Sequence, residues 1–118
     1  MHIDIQTRNF DLTSALRSHA KRRLRFALSS ADNHVQRIIV RLSDINGPRG
    51  GKDKRCHLQV VLAGLPAVVV EDTEADLYFA IDRAAGRAGR SVMRRISRKQ
   101  TLQKHGRPLT WPADQLIS

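Results

Sequence analysis

The sequence predicts an α+β fold, a two-layer sandwich of order β-α-β-β-β-α in which a mixed four-stranded sheet carries two helices on one face. Three observations predict it. Four segments alternate apolar and polar residues with period two, and two longer segments repeat apolar residues at helical spacing. Only the first two strands are separated by a helix, so a right-handed crossover sets them parallel. The short turns that follow make the remaining strand pairs antiparallel.

The first strand is His2 to Arg8, where Ile3 and Ile5 alternate with Asp4 and Gln6. Asn9 to Leu12 turns the chain, and Thr13 caps a helix running to about Leu28, with Leu16, Ala20, Leu24 and Ala27 on one stripe. Ser29 to Asn33 break this helix. From Val35 to Ser43, a second strand puts Ile38, Val40 and Leu42 on one face and Arg37 and Arg41 on the other. The loop Ile45 to Asp53 leads to a third, in which Cys56, Leu58, Val60 and Leu62 alternate with His57, Gln59 and Val61. Gly64-Leu65-Pro66 then turns the chain into a valine-rich fourth strand, Ala67 to Glu71. Thr73-Glu74-Ala75-Asp76 reads as a capping box with Asp in place of the usual Glu, and opens a helix to about Lys99. Thr101 to Ser118 holds Gly106, Pro108 and Pro112 and lacks periodicity. The expected division is therefore an α+β domain over 1–100 and a mobile C-terminal tail over 101–118.

At 118 residues the chain suits one core, and 41% apolar with 27% charged residues is an ordinary globular composition. The apolar run Val60 to Val70 holds 11 residues, interrupted by Gly64 and Pro66. A membrane-spanning helix needs roughly 20. The opening Met1-His2-Ile3-Asp4 does not resemble a secretory signal, so a cytoplasmic location is expected. A lone cysteine, Cys56, makes no internal disulfide and sits on the apolar strand face as a core residue. His2, His19, His34, His57 and His105 show no metal-ligand spacing, and Asp4, Asp44, Glu71 and Asp72 are explained by strand ends and caps. The expectation is a protein without catalytic residues, metal, cofactor or small-molecule substrate.

Charge carries the functional signal. Twenty-one Lys and Arg against eleven Asp and Glu give a net +10, and such a chain seeks a polyanion. From Arg83 to Lys99 there are seven basic residues and no acidic one, and at 100° per residue Arg83, Arg87, Arg90, Arg94 and Arg98 form one stripe. Leu77, Ile81, Ala84, Ala85, Ala88, Val92 and Ile96 form the opposite, sheet-facing stripe, so the arginines are expected to face outward. Stacked like charges cost a helix a few tenths of a kcal/mol per pair. A bound polyanion reverses that cost. The first helix carries Arg17, Lys21, Arg22, Arg23 and Arg25, also without an acid. Of these, Lys21, Arg22 and Arg25 lie best for an outer surface, and Arg23 lies near the edge of the apolar stripe. Side by side, the two helices would present a basic plate to rows of phosphates.

The aromatic residues are Phe10, Phe26, Tyr78, Phe79 and Trp111, none of them in strands two to four. A sheet-based stacking platform for single strands is therefore not expected, and backbone recognition of structured RNA is favoured. The loop Gly47-Pro48-Arg49-Gly50-Gly51-Lys52 lacks the Ser or Thr and the helix that a Walker A loop needs. Arg49 and Lys52 are candidate auxiliary RNA contacts on it.

The string Glu71-Asp72-Thr73-Glu74-Ala75-Asp76-Leu77-Tyr78-Phe79-Ala80-Ile81-Asp82, together with Thr13-Ser14-Ala15-Leu16-Arg17 and the valine-rich fourth strand, resembles the ribosome hibernation-promoting factor and ribosome-associated inhibitor family. The resemblance covers about residues 1 to 100. It implies a fold similar to a double-stranded-RNA-binding domain. It also implies a protein that binds the small ribosomal subunit and its rRNA at the interface side, occluding the tRNA and mRNA sites during starvation or stationary phase. Carried over by position, the family's RNA contacts correspond to Lys21, Arg22, Arg25, Arg83, Arg87, Arg90 and Arg94. The Gly-Pro-Arg-Gly-Gly connection is longer than usual in this family, and arginine replaces the lysine that many members use. Long members add a C-terminal dimerisation domain, and the 18 residues after Gln100 match the short form instead. The rival expectation is a general structured-RNA-binding or RNA-chaperone module.

Overall fold

The computed structural model describes residues 1–44 and 53–105. Its order is β1 (His2–Arg8), α1 (Ser14–Ala27), a 3₁₀ turn (Ser29–Ala31), β2 (Val35–Asp44), β3 (Lys54–Leu62), β4 (Leu65–Glu74) and α2 (Leu77–His105). The strands form one sheet in the order β1-β2-β3-β4, parallel between β1 and β2 and antiparallel elsewhere. This is the expected α+β sandwich.

Register explains the layer. Ile3 faces Ile38, Ile5 faces Val40, Val40 faces Leu58 and Leu58 faces Val70, so one sheet face is apolar across all four strands. Leu16, Ala20 and Leu24 of α1 join Ile81, Ala84, Ala85, Ala88, Val92 and Ile96 of α2 in the same core cluster. These are the two stripes that periodicity predicts. Helix α2 lies on β3 and β4 with α1 beside it. Burial pushes the Cys56 thiol up to about 12, and the adjacent Asp72 carboxylate adds to the effect.

The termini of the elements follow local chemistry. Thr13 Oγ1 accepts the Leu16 N–H at 3.1 Å, the expected cap of α1. Asn9 takes a left-handed φ of 72° after β1, and its Nδ2 donates to the Asp44 carbonyl at 3.0 Å. Gly64, at φ 71°, supplies the tight turn between β3 and β4, and Pro66 is tolerated just beyond it because β4 is an edge strand.

Expected boundaries move at both ends of β4 and of α2, with β4 already starting at Leu65 rather than Ala67. Thr73 and Glu74 do not open a helix: they pair with Arg55 and Lys54 and prolong β4. The ladder to β3 outcompetes the local capping pattern, and α2 starts at Leu77 with the Asp76 carboxylate accepting the Tyr78 N–H at 3.3 Å. At its other end α2 runs to His105 rather than Lys99, which carries helix past the expected domain boundary. The tail from 106 onward lies outside the described residues.

Candidate nucleic-acid interface

A clamp and a close contact set the two helices beside each other. Asp82 of α2 accepts from Arg23 Nε at 3.1 Å and lies 2.7 Å from His19 Nε2, both on α1. The His19 ring meets Tyr78 edge-on at 4.9 Å. Further along, Gly89 presses on α1 so closely that a Cβ there would stand 2.7 Å from the Ala27 carbonyl oxygen. Tyr78, Ala80, Ile81 and Asp82, the residues that carried the family resemblance, thus serve the core and the clamp between helices.

The arginine stripe of α2 divides in two. Arg83 Nε lies 3.3 Å from Asp72 Oδ2 and 3.2 Å from Glu74 Oε2. Arg87 Nη1 donates to Asp72 Oδ2 at 3.4 Å and to the Glu71 carbonyl at 2.9 Å. Both guanidinium groups remain about half exposed, but their charge is met by acids at the end of β4. The two arginines face outward as expected but are met by acids, because β4 reaches Glu74 and brings Asp72 and Glu74 under the first turns of α2. Arg90, Arg94 and Arg98 are exposed and have no acidic partner among the described residues. Among the described residues Arg94 donates to Ser91 Oγ, three residues back, at 3.2 Å.

On α1, Arg22 and Arg25 are exposed, Lys21 is half-buried, and none has an acidic partner among the described residues. At 100° per residue, Arg22 stands beside Phe26 on the surface toward α2, whereas Lys21 and Arg25 turn away from it. Arg25 borders a recess with Met1, Ser29 and Asp32. The expected single plate is therefore narrower: Arg22, Arg90 and Arg94 flank the helix junction, and Lys21 and Arg25 extend α1's outer side. Arg49 and Lys52 lie outside the described residues.

Two features go further than the reading of the sequence, which placed only Arg37 and Arg41 on the open sheet face. Exposed apolar side chains share the helical surface with the arginines: Phe26 is 72% exposed, Phe79 50% and Met93 41%. The signal was present in Phe26, which stands well off the Leu16-Ala20-Leu24 stripe. The sheet's open face is also basic, with exposed Arg8, Arg37 and Arg41 and half-buried Arg55 and His57. Several of these groups are already engaged. His57 Nδ1 meets Glu71 Oε2 at 3.2 Å, and Arg41 Nε donates to Gln6 Oε1 at 3.4 Å. At the sheet end Lys54 Nζ bridges Asp44 at 3.1 Å and Asp53 at 3.2 Å, and those bonds raise its pKa above 10.5.

Among the described residues no helix is long and apolar enough to cross a membrane. What these elements can do is hold phosphates on an unpaired arginine surface, with apolar side chains set among the charges.

Known proteins share this fold. The N-terminal domain of Thermus thermophilus Protein Y is 34% identical, with a TM-score of 0.66 over 80% of this chain and 98% of that one. A ribosomal subunit interface protein from Coxiella burnetii, 19% identical, shows the same fold with a TM-score of 0.67 over 85% of this chain and 99% of its own. No curated protein matches the chain. The family model described as sigma 54 modulation protein / S30EA ribosomal protein matches residues 3–100, in agreement with the resemblance carried by the Glu71 to Asp82 string. The chain belongs to the sigma 54 modulation protein / S30EA ribosomal protein family.

Proposed function

We propose that this protein is a ribosome-associated hibernation factor that binds rRNA of the small subunit at the subunit interface. It occludes the tRNA and mRNA sites under stress or starvation, by bulk and without turnover. The carrying observation is the set of arginines on the outer helical surface that lack acidic partners among the described residues. Arg22, Arg25, Arg90 and Arg94, with Lys21, contact phosphates in this reading. Arg83 and Arg87 contribute only the part of each guanidinium not already given to Asp72, Glu74 and Glu71. Membership of a family described as sigma 54 modulation protein / S30EA ribosomal protein supports it.

The test is sedimentation of the protein with small subunits and idle ribosomes at rising salt. Phosphate contacts release counterions, so the logarithm of the binding constant should fall steeply against the logarithm of salt. Migration at the top of the gradient at low salt would overturn the reading. Phosphate contacts carry no sequence information by themselves. Excess duplex RNA that strips the protein from subunits would therefore favour a general structured-RNA module.

A further inference from the structure

We propose that the groove between α1 and α2 is a slot for one unstacked RNA base, which stacks on the Phe26 ring while Arg90 and Arg94 hold its flanking phosphates. This deepens the RNA-binding reading above and rests on it. The groove is lined by Arg23, Phe26, Gly86, Gly89, Met93 and the two rim arginines, and its surface is predominantly apolar. A soluble protein leaves a ring 72% exposed beside a half-exposed methionine at little benefit to its own fold. The slot's shape has a cause. Gly89 lets α1 close against α2 and so forms the floor, and Gly86, one turn earlier and without a side chain, leaves the space above it open.

Chemistry selects the occupant. An apolar floor alone would suit a helix of another protein, but the rim carries Arg90 and Arg94 without acidic partners among the described residues, and Arg23 sits 5.7 Å over the Phe26 ring. Cations bordering a flat apolar surface match a nucleotide, which joins a planar base to an anionic phosphate. Arg23 is anchored by Asp82 at 3.1 Å, so the cation over one face of the Phe26 ring is fixed without giving up a rim arginine, and the base stacks on the exposed remainder of the ring. Duplex RNA keeps its bases stacked and cannot fill the slot. Single-stranded or bulged segments can.

The experiment compares the full chain with its Phe26→Ala, Phe26→Leu, Phe26→Tyr and Gly86→Leu variants. Binding is measured to purified small subunits, to a ten-nucleotide single-stranded oligoadenylate and to a duplex of equal length. Phe26→Ala should lose about tenfold in affinity for the single strand, the usual scale of one base stacked on an aromatic ring, and keep its affinity for the duplex. Phe26→Tyr should restore binding, and Gly86→Leu, which fills the space above the floor while leaving the ring, should reproduce the loss. Because Phe26 is exposed, melting temperature should not move. Equal single-strand affinity for Phe26→Ala and the parent overturns the slot. So does full single-strand affinity for Phe26→Leu, which would mark a general apolar contact in place of stacking on a ring. If the parent chain fails to bind subunits, the ribosomal reading falls while the oligoadenylate arm still decides the slot.

Discussion

Arg83 and Arg87 stand on the same stripe of α2 as Arg90 and Arg94, yet the two pairs do different work. The first pair meets the carboxylates of Asp72 and Glu74 and ties the start of α2 to the end of β4. The second meets no acid among the described residues. Identical side chains at identical spacing are thus divided between holding the fold and presenting charge. What divides them is where β4 stops. The extension of β4 past Glu71 places Asp72 and Glu74 under Arg83 and Arg87, and among the described residues no acid meets the arginines further along that stripe.

The sharpest way to break this comparison is to reverse charge on each pair. Arg90→Glu with Arg94→Glu should weaken small-subunit binding by roughly two orders of magnitude, about 3 kcal/mol, with melting unchanged. The alanine versions should lower the slope of log affinity against log salt by about two, one for each phosphate that is no longer neutralised. Equal losses from reversing Arg83 and Arg87 without destabilisation would erase the distinction.

Next in size is Asp72→Ala, which removes the buried acceptor shared by Arg83 and Arg87. Charged hydrogen bonds are worth about 1.5–3 kcal/mol each, but half-exposed arginines regain water. A loss of about 2 kcal/mol follows, read as a melting temperature lower by roughly 8 °C. RNA affinity should hold or rise, since two guanidinium groups are released.

The legible and illegible parts of this molecule separate along the same line. Strand faces and both apolar stripes repeat within a few residues, so Ile38-Val40-Leu42 and Ile81-Ala84-Ala85-Ala88 could be assigned from the sequence, and with them the layer order. Spacing also put Arg83 and Arg87 on the outward side, correctly. It could not show who waits there, because Asp72 lies 11 and 15 residues away in sequence and meets them only through the fold. Thr73 misled for a related reason. Its local pattern is a cap, and its pairing with Arg55 is tertiary. Phe26 counts in the sequence as one more aromatic absent from the strands, although its helical position already places it among the arginines.

The helix junction offers a smaller, two-sided contrast. Gly89→Ala drives a Cβ to 2.7 Å from the Ala27 carbonyl oxygen and should cost about 1–2 kcal/mol as the helices part. Gly86→Ala meets nothing closer than Arg90 Nη1 at 3.6 Å. There the gain in helix propensity should stabilise by about 0.5–1 kcal/mol. Thermal melts of the two variants read opposite signs from glycines three residues apart.

Lys54 extends the comparison to its weakest member, a cation tied to acids at the far end of the sheet. Its hydrogen bonds to Asp44 and Asp53 raise its folded-state pKa above the ordinary 10.5, so the folded chain holds this proton more tightly than the unfolded one. The resulting stability is fully present below pH 10.5 and is lost as pH rises through the higher, folded value. Lys54→Met should therefore flatten the fall in stability above pH 10.5 in a denaturant-melt series. RNA affinity at neutral pH should stay put, because Lys54, like Arg83 and Arg87, already gives its charge to the fold. A Lys54→Met variant that loses subunit binding as Arg90→Glu does would show that an acidic partner does not remove a cation from the RNA surface, and the division between tied and untied charges would have to be redrawn.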